Sequence, residues 1–173
     1  MFTKNFKKLM SLYLLNGNGS GTSQYTYPIS TTLTSLDGTV ITTQTNQSSY
    51  ERYSLAYALS DILSTSATNM RSYLAIGTGT GTVSDNDYQL FNSTSDCTCV
   101  SASSNTSANF TKIYTATFQN NTSADITVTE TGIIAKSFLY NDYFKVLLDH
   151  TLLDTPVIIP AGESRTITYE WAF

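Results

Sequence analysis

The sequence predicts a mainly β fold, an antiparallel β-sandwich preceded by an N-terminal helical arm. Three observations predict it. Charged residues make up only 13% of the 173-residue chain, and Thr, Ser and Asn are abundant in their place. The branched Cβ of threonine suits the pleated surface of a strand. Hydrophobic residues reach 40% and aromatic residues 12%, which fits a packed core and not a disordered chain. From residue 73 onward, short apolar and alternating runs are broken by turn residues about every 8–12 positions, the spacing of a sandwich or barrel.

The first element is helical. Phe2, Phe6, Leu9, Met10, Tyr13 and Leu14 fall on one stripe, with Lys4, Lys7 and Lys8 off its centre. Asn16-Gly17-Asn18-Gly19 stops it. A helix this short is marginal alone in water, so something must bury the stripe. Its own domain is one candidate and a neighbouring subunit the other. The glycines at 17, 19 and 21 point to an arm that docks on a neighbour, with Phe2, Phe6, Leu9, Met10 and Tyr13 as assembly contacts. The expected division is a helix and flexible link over 1–21 and a β domain over 22–173. Lysines followed by an apolar run give the start a signal-peptide layout, but it lacks a small-x-small cleavage site.

Residues 25–47 read as strand, turn and strand around Asp37-Gly38. Ser48 and Glu51 have capping-box spacing. Leu55, Ala56, Leu59, Ile62 and Leu63 then suggest a second helix over 48–63, although Tyr53, Leu55 and Tyr57 also alternate as in a strand. Tyr73–Ile76 is a short strand leading into Gly77-Thr78-Gly79-Thr80-Gly81. A Ser/Thr/Asn segment around the cysteines fills 92–109. Phe110, Tyr114, Ala116 and Phe118 alternate with threonines, a turn follows at 120–123, and Ile126 and Val128 alternate again. Gly132-Ile133-Ile134, Phe144 to Leu148, and Pro156 to Pro160 are further apolar runs. After the turn Ala161-Gly162-Glu163 comes the cleanest strand, with Ile167, Tyr169, Trp171 and Phe173 on one face. It is expected to be central, with Trp171 buried. A jelly-roll-like or Ig-like sandwich fits this series.

Chemistry is sparse. The net charge of −4 and pI near 4.7 argue against a nucleic-acid partner, and no stretch has the length of a membrane span. Gly77, Gly79 and Gly81 lack the last glycine of a dinucleotide fingerprint, Thr82 standing in its place, and no P-loop lysine follows. Close backbone approach is the default reading. His150 is the one histidine; no G-x-S-x-G elbow accompanies it, and Asp149 beside it would diverge on a strand. Asp85, Asp87 and Asp96 lack calcium-loop spacing. Cys97 and Cys99 are too close for an unstrained disulfide and too few for zinc, so free thiols are expected. No catalytic residue, cofactor or metal is assigned. Glu130 follows Ile126 and Val128 on what should be the inward face. Either Arg165 or Lys136 supplies it with a partner, or a bulge or strand end exposes it.

Three segments, YLAIGTGTGTVSDNDYQL (73–90), FTKIYTATFQNNTSADITVTETGIIAK (110–136) and PVIIPAGESRTITYEWAF (156–173), carry a resemblance. Their order is a strand ending in a Gly/Thr loop, a "DY-x-L" step, an "I-T-V-x-E-x-G" strand, and a closing "P-V-x-I-x-x-G-E-S-x-T-I-T-Y". This resembles small virion structural proteins of tailed bacteriophages, as does the F-x-K-x-F-x-K-L-M start. Ile133-Ile134, where Gly-Leu-Phe is usual, and the 92–109 insertion depart from the tail-fibre pattern. The resemblance implies a non-enzymatic virion component, made in the host bacterial cytoplasm and assembling as a homo-oligomer at the tail, baseplate or neck. Its partners would be copies of itself and other virion proteins. Capsid decoration or a head-fibre-associated role is the alternative within that class. A receptor- or carbohydrate-binding module, using the 12 tyrosines and one tryptophan for stacking, is the alternative outside it.

Overall fold

The computed structural model describes residues 1–8, 10, 31–43, 72–107, 111–139 and 142–172. The helix expected over 48–63 lies outside these residues, as do Leu9, Tyr13 and the glycines at 17, 19 and 21. Among the described residues there are eight strands, β1 (Thr31–Thr34), β2 (Val40–Thr43), β3 (Ser72–Gly77), β4 (Cys97–Ser107), β5 (Thr111–Asn120), β6 (Ile126–Leu139), β7 (Asp142–Ile159) and β8 (Ser164–Ala172). The fold is mainly β, and every strand pair is antiparallel.

β1 and β2 form the hairpin expected around Asp37-Gly38. Gly38 takes φ +85°, a conformation that costs glycine little and other residues much. The Asp37 carboxylate accepts the Ser35 hydroxyl and the Thr39 N–H, which together hold its carboxyl at about 2. The other strands form two three-stranded sheets, ordered β3-β6-β7 and β4-β5-β8. One apolar cluster draws on both: Leu74, Val128, Ile133 and Leu148 from the first, Tyr114, Phe118, Ile167 and Trp171 from the second. On the outer face of the second sheet, Thr117 and Thr166 pair hydroxyl to hydroxyl at 2.8 Å.

Three expectations change. β8 pairs with β5 and lies at a sheet edge, while β5 is central. Trp171 is nonetheless 3% exposed, because aromatic side chains from the N-terminus cover it. The 92–109 segment supplies the strand β4, whose polar residues are tolerated because the strand is an outer one exposed to water. The two apolar runs from 144 to 159 belong to a single strand, β7, interrupted by bulges. Val128 pairs with Val157 but Glu130 with Leu152, so Pro156 falls where the ladder does not need its missing N–H. Ile133 pairs with Asp149 but Ile134 with Leu147. The intervening Leu148 turns into the main cluster, while Leu147 packs with Leu90 and Ile134 in a second one.

The expected N-terminal helical arm is a single short helix, described at residues 4–8 and 10. Before it, Met1 to Thr3 lie along β7: Thr3 N–H donates to Leu148 O at 3.0 Å and His150 N–H to Met1 O at 3.1 Å. Thr3 Oγ1 donates to Leu147 O at 2.7 Å and accepts Phe6 N–H at 3.4 Å, capping the helix. Phe2 and Phe6 stack at 4.6 Å and meet the Trp171 ring at 5.7 and 5.0 Å. Of the five expected assembly contacts, Phe2, Phe6 and Met10 thus pack against the chain's own core.

Candidate functional site

Two of the three segments that carry the resemblance, 73–90 and 110–136, meet at one buried polar network. Its centre is Glu130 of β6, 0% exposed. The bulge after Val128 resets the strand's facing, so the carboxylate points toward the loop between β3 and β4. Oε1 accepts the backbone N–H of Gly79 at 2.9 Å and of Asn92 at 2.8 Å, and Oε2 accepts that of Phe91 at 2.9 Å. The Gly/Thr loop is shaped for this approach. A Cβ on Gly77 would stand 2.4 Å, and one on Gly79 2.6 Å, from Oε1, closer than any side chain tolerates. Thr129 Oγ1 donates to Gly79 O at 2.6 Å, adding a second tie between β6 and the loop.

His150 of β7 completes the network. Its Nε2 lies 2.8 Å from Glu130 Oε2 and its Nδ1 2.7 Å from Asp87 Oδ2. Asp87 Oδ2 also accepts Ser84 N–H at 2.9 Å. Both ring nitrogens therefore face carboxylate oxygens. Burial pushes the Glu130 carboxyl up, but hydrogen bonds from Asn92 N–H, the His150 ring, Phe91 N–H and Gly79 N–H outweigh it. The net shift is downward. The Phe91 ring lies 4.6 Å from the His150 ring. Gly132 lets β6 close on its surroundings, since a Cβ there would meet Leu147 Cδ1 at 2.8 Å and Leu90 Cδ2 at 2.9 Å.

Asp149 points elsewhere, as its neighbour's position on a strand requires. It pairs with the Met1 amino group at 3.0 Å and accepts the Tyr169 hydroxyl of β8. Burial, followed by the Asp149 charge, raises the Tyr169 phenol. The Asp149–Tyr169 contact and the Glu130–His150–Asp87 network thus leave β7 in opposite directions, one to β8 and one to the loop.

The partners expected for Glu130 need correcting. Arg165 pairs with Glu163 at 3.2 Å, and Lys136 lies exposed toward the far end of β6. Asp85, Asp87 and Asp96 do not converge: Asp85 meets Lys7 at 3.1 Å and Asp87 meets His150. Cys97 and Cys99 are free thiols. His150 is the partner that sequence reasoning missed. No local signal pointed to it, since the chain offers nine lysines and arginines beside its single histidine.

Glu130 and His150 are both 0% exposed, and only Asp87, at the outer end of the network, is partly open to solvent. The network fixes the 77–93 loop to β6, the central strand of its sheet, and to β7 beside it. Such a fully satisfied buried network is rigid and specifies one arrangement. Among the described residues, no group of three or more His, Cys, Asp or Glu is placed to hold a metal ion, and no helix is long and apolar enough to cross a membrane. No protein-family model, curated protein or solved structure matches the chain.

Proposed function

We propose that the protein is a non-enzymatic structural component of a tailed-phage particle, built as a two-layer antiparallel β-sandwich and assembling through copies of itself at the tail, baseplate or neck. The sandwich reading rests on the single apolar cluster shared by the two three-stranded sheets. The observation that carries the functional reading is the convergence of the motif residues. Gly79, Asp87, Leu90, Glu130 and Gly132, from the segments that resemble virion proteins, act together inside the fold. Their task is to hold a long loop rigid, which is what a subunit repeated in a particle needs from its surface loops. Mass spectrometry of purified particles from a phage encoding this chain is the test. The chain should be present at a fixed copy number relative to other particle proteins. Its absence from mature particles would overturn the reading.

A further inference from the structure

We propose that the 77–93 loop is an acid-released strap: a proton taken up at Glu130 frees it from the face of its sheet while the two sheets stay packed on their shared core. The first ground is how the strap is attached. The main cluster between the sheets contains no residue from 78–93. Of the strap's side chains only that of Leu90 is buried, and it packs against Ile134 and Leu147 on the other face of β6 and β7. One apolar side chain anchors a segment of this length weakly, so the strap depends on its polar ties. A segment with so few buried apolar contacts opens locally, at less cost than the core.

The second ground is that those ties meet at one carboxylate. The two limbs of the strap run side by side at its base, where Gly77 bridges Ser93 and Thr78 N–H donates to Asn92 O at 2.9 Å. Glu130 clamps both limbs, through Gly79 on one and through Phe91 and Asn92 on the other. An ionised carboxylate has about four acceptor sites. Oε1 uses two for the Gly79 and Asn92 N–H groups, and Oε2 uses two for the Phe91 N–H and the His150 ring. The contact with the ring already holds one proton, whichever atom carries it. A further proton on either oxygen therefore displaces a donor and leaves it unpaired at a residue 0% exposed, a penalty that the open strap avoids.

Among the described residues, few other titratable groups surround this site. β7 brings His150, and beyond its ring stands Asp87 of the strap itself. β3 brings no charge; its Tyr73 packs on the Leu90 cluster with Lys145 of β7 over its ring. At the tip of the strap Asp85 pairs with Lys7 at 3.1 Å and Asn86 accepts from Lys4. Asp149 and the Met1 amino group lie on the other side of β7. Burial pushes the Glu130 carboxyl up, but its hydrogen bonds hold it below the ordinary 4.5 while the strap is closed. Opening returns it toward that value and so takes up a proton. The opening equilibrium therefore rises as pH falls below 4.5, by up to about tenfold per pH unit. This inference concerns the isolated chain and stands or falls apart from its place in a particle.

Amide hydrogen exchange of the full chain, followed residue by residue from pH 7 to about 3.5 and corrected for the intrinsic pH dependence of exchange, tests it. Protection of the Gly79, Phe91 and Asn92 amides should fall by up to about tenfold per pH unit below 4.5, while Ala116 and Phe118 in β5 keep theirs. Glu130→Gln, neutral at every pH and with one acceptor oxygen in place of two, should show fast strap exchange already at pH 7 and no further change in acid. Asp85→Asn, which removes the carboxylate at the tip, should leave the acid response in place. If the glutamine variant fails to fold, the wild-type comparison of strap with β5 still decides. Strap and β5 amides that lose protection by the same factor would mean that acid unfolds the whole domain. Strap protection that does not change with pH would remove Glu130 as the trigger, and a response lost in Asp85→Asn would move the trigger to the tip. Each of these three results overturns the proposal.

Discussion

His150 shows how much one side chain can hold. Its ring lies between two carboxylates, and those carboxylates in turn hold four backbone N–H groups of one loop, at Gly79, Ser84, Phe91 and Asn92. His150→Ala would leave Glu130 and Asp87 without the ring hydrogen-bonded between them. Leaving buried acceptors without a partner costs about 1–3 kcal/mol, and more for charged groups, so urea denaturation should show a loss of at least that size. A loss under about 1 kcal/mol would mean that the loop is held by other contacts. The same network sets a pH dependence. The folded-state pKa of Glu130 is lowered from its ordinary 4.5, so below that value the folded state binds fewer protons than the unfolded one. The contribution of Glu130 to stability is therefore complete above the unfolded value and is lost as pH falls through the folded one. Asp37 and Asp85 are shifted in the same direction, so the informative comparison is between variants. Stability of Glu130→Gln, measured by denaturation from pH 7 downward, should fall less steeply with acid than that of the wild type. Identical slopes would remove Glu130 from the acid response.

The N-terminal helix shows what a sequence pattern leaves open at the scale of an element. The stripe of Phe2, Phe6 and Met10 was legible, as was the need to bury it. What buries it was not, because the Trp171 ring that receives it lies at the other end of the chain. Local periodicity carries no information about contacts across so many residues. The strands follow the same division. Alternation in β5 and β8, and turn residues at Gly38 and Gly162, are local and could be read directly. The edge position of β8, the bulges of β7 and the pairing of β4 depend on distant partners and could not. Glu130 lies between these cases: the bulge and the need for a buried partner were foreseeable, but the bulge turns it to the face opposite Val128, and neither the loop that covers it nor its histidine partner was legible. For the helix, the packing yields a definite expectation. Phe6 is 6% exposed, stacks on Phe2 and meets the Trp171 ring edge to face, so Phe6→Ala should cost about 3–5 kcal/mol. Thermal melting of that variant would show no change if the helix served only to dock on a neighbour.

At the scale of the whole molecule, the shared core makes the two sheets and the helix interdependent. The main cluster joins β3, β6 and β7 to β5 and β8, and Phe6 and Leu33 enter it from the helix and the hairpin. No sheet can lose its inner face without exposing the inner face of the other. A small domain built this way should unfold in one cooperative step. The chain offers a probe suited to asking this, since Trp171 is its one tryptophan and sits where the helix, β5 and β8 meet. Its fluorescence reports that junction, while far-UV circular dichroism reports the strands as a whole. The two signals, followed through a urea titration at neutral pH, should give coincident midpoints and equal slopes. Fluorescence changing first would mean that Phe2 and Phe6 leave Trp171 before the sheets open, making the N-terminal segment a separate, weaker unit. That outcome would return these residues to the role of a detachable arm, free to exchange the chain's own core for a neighbour's.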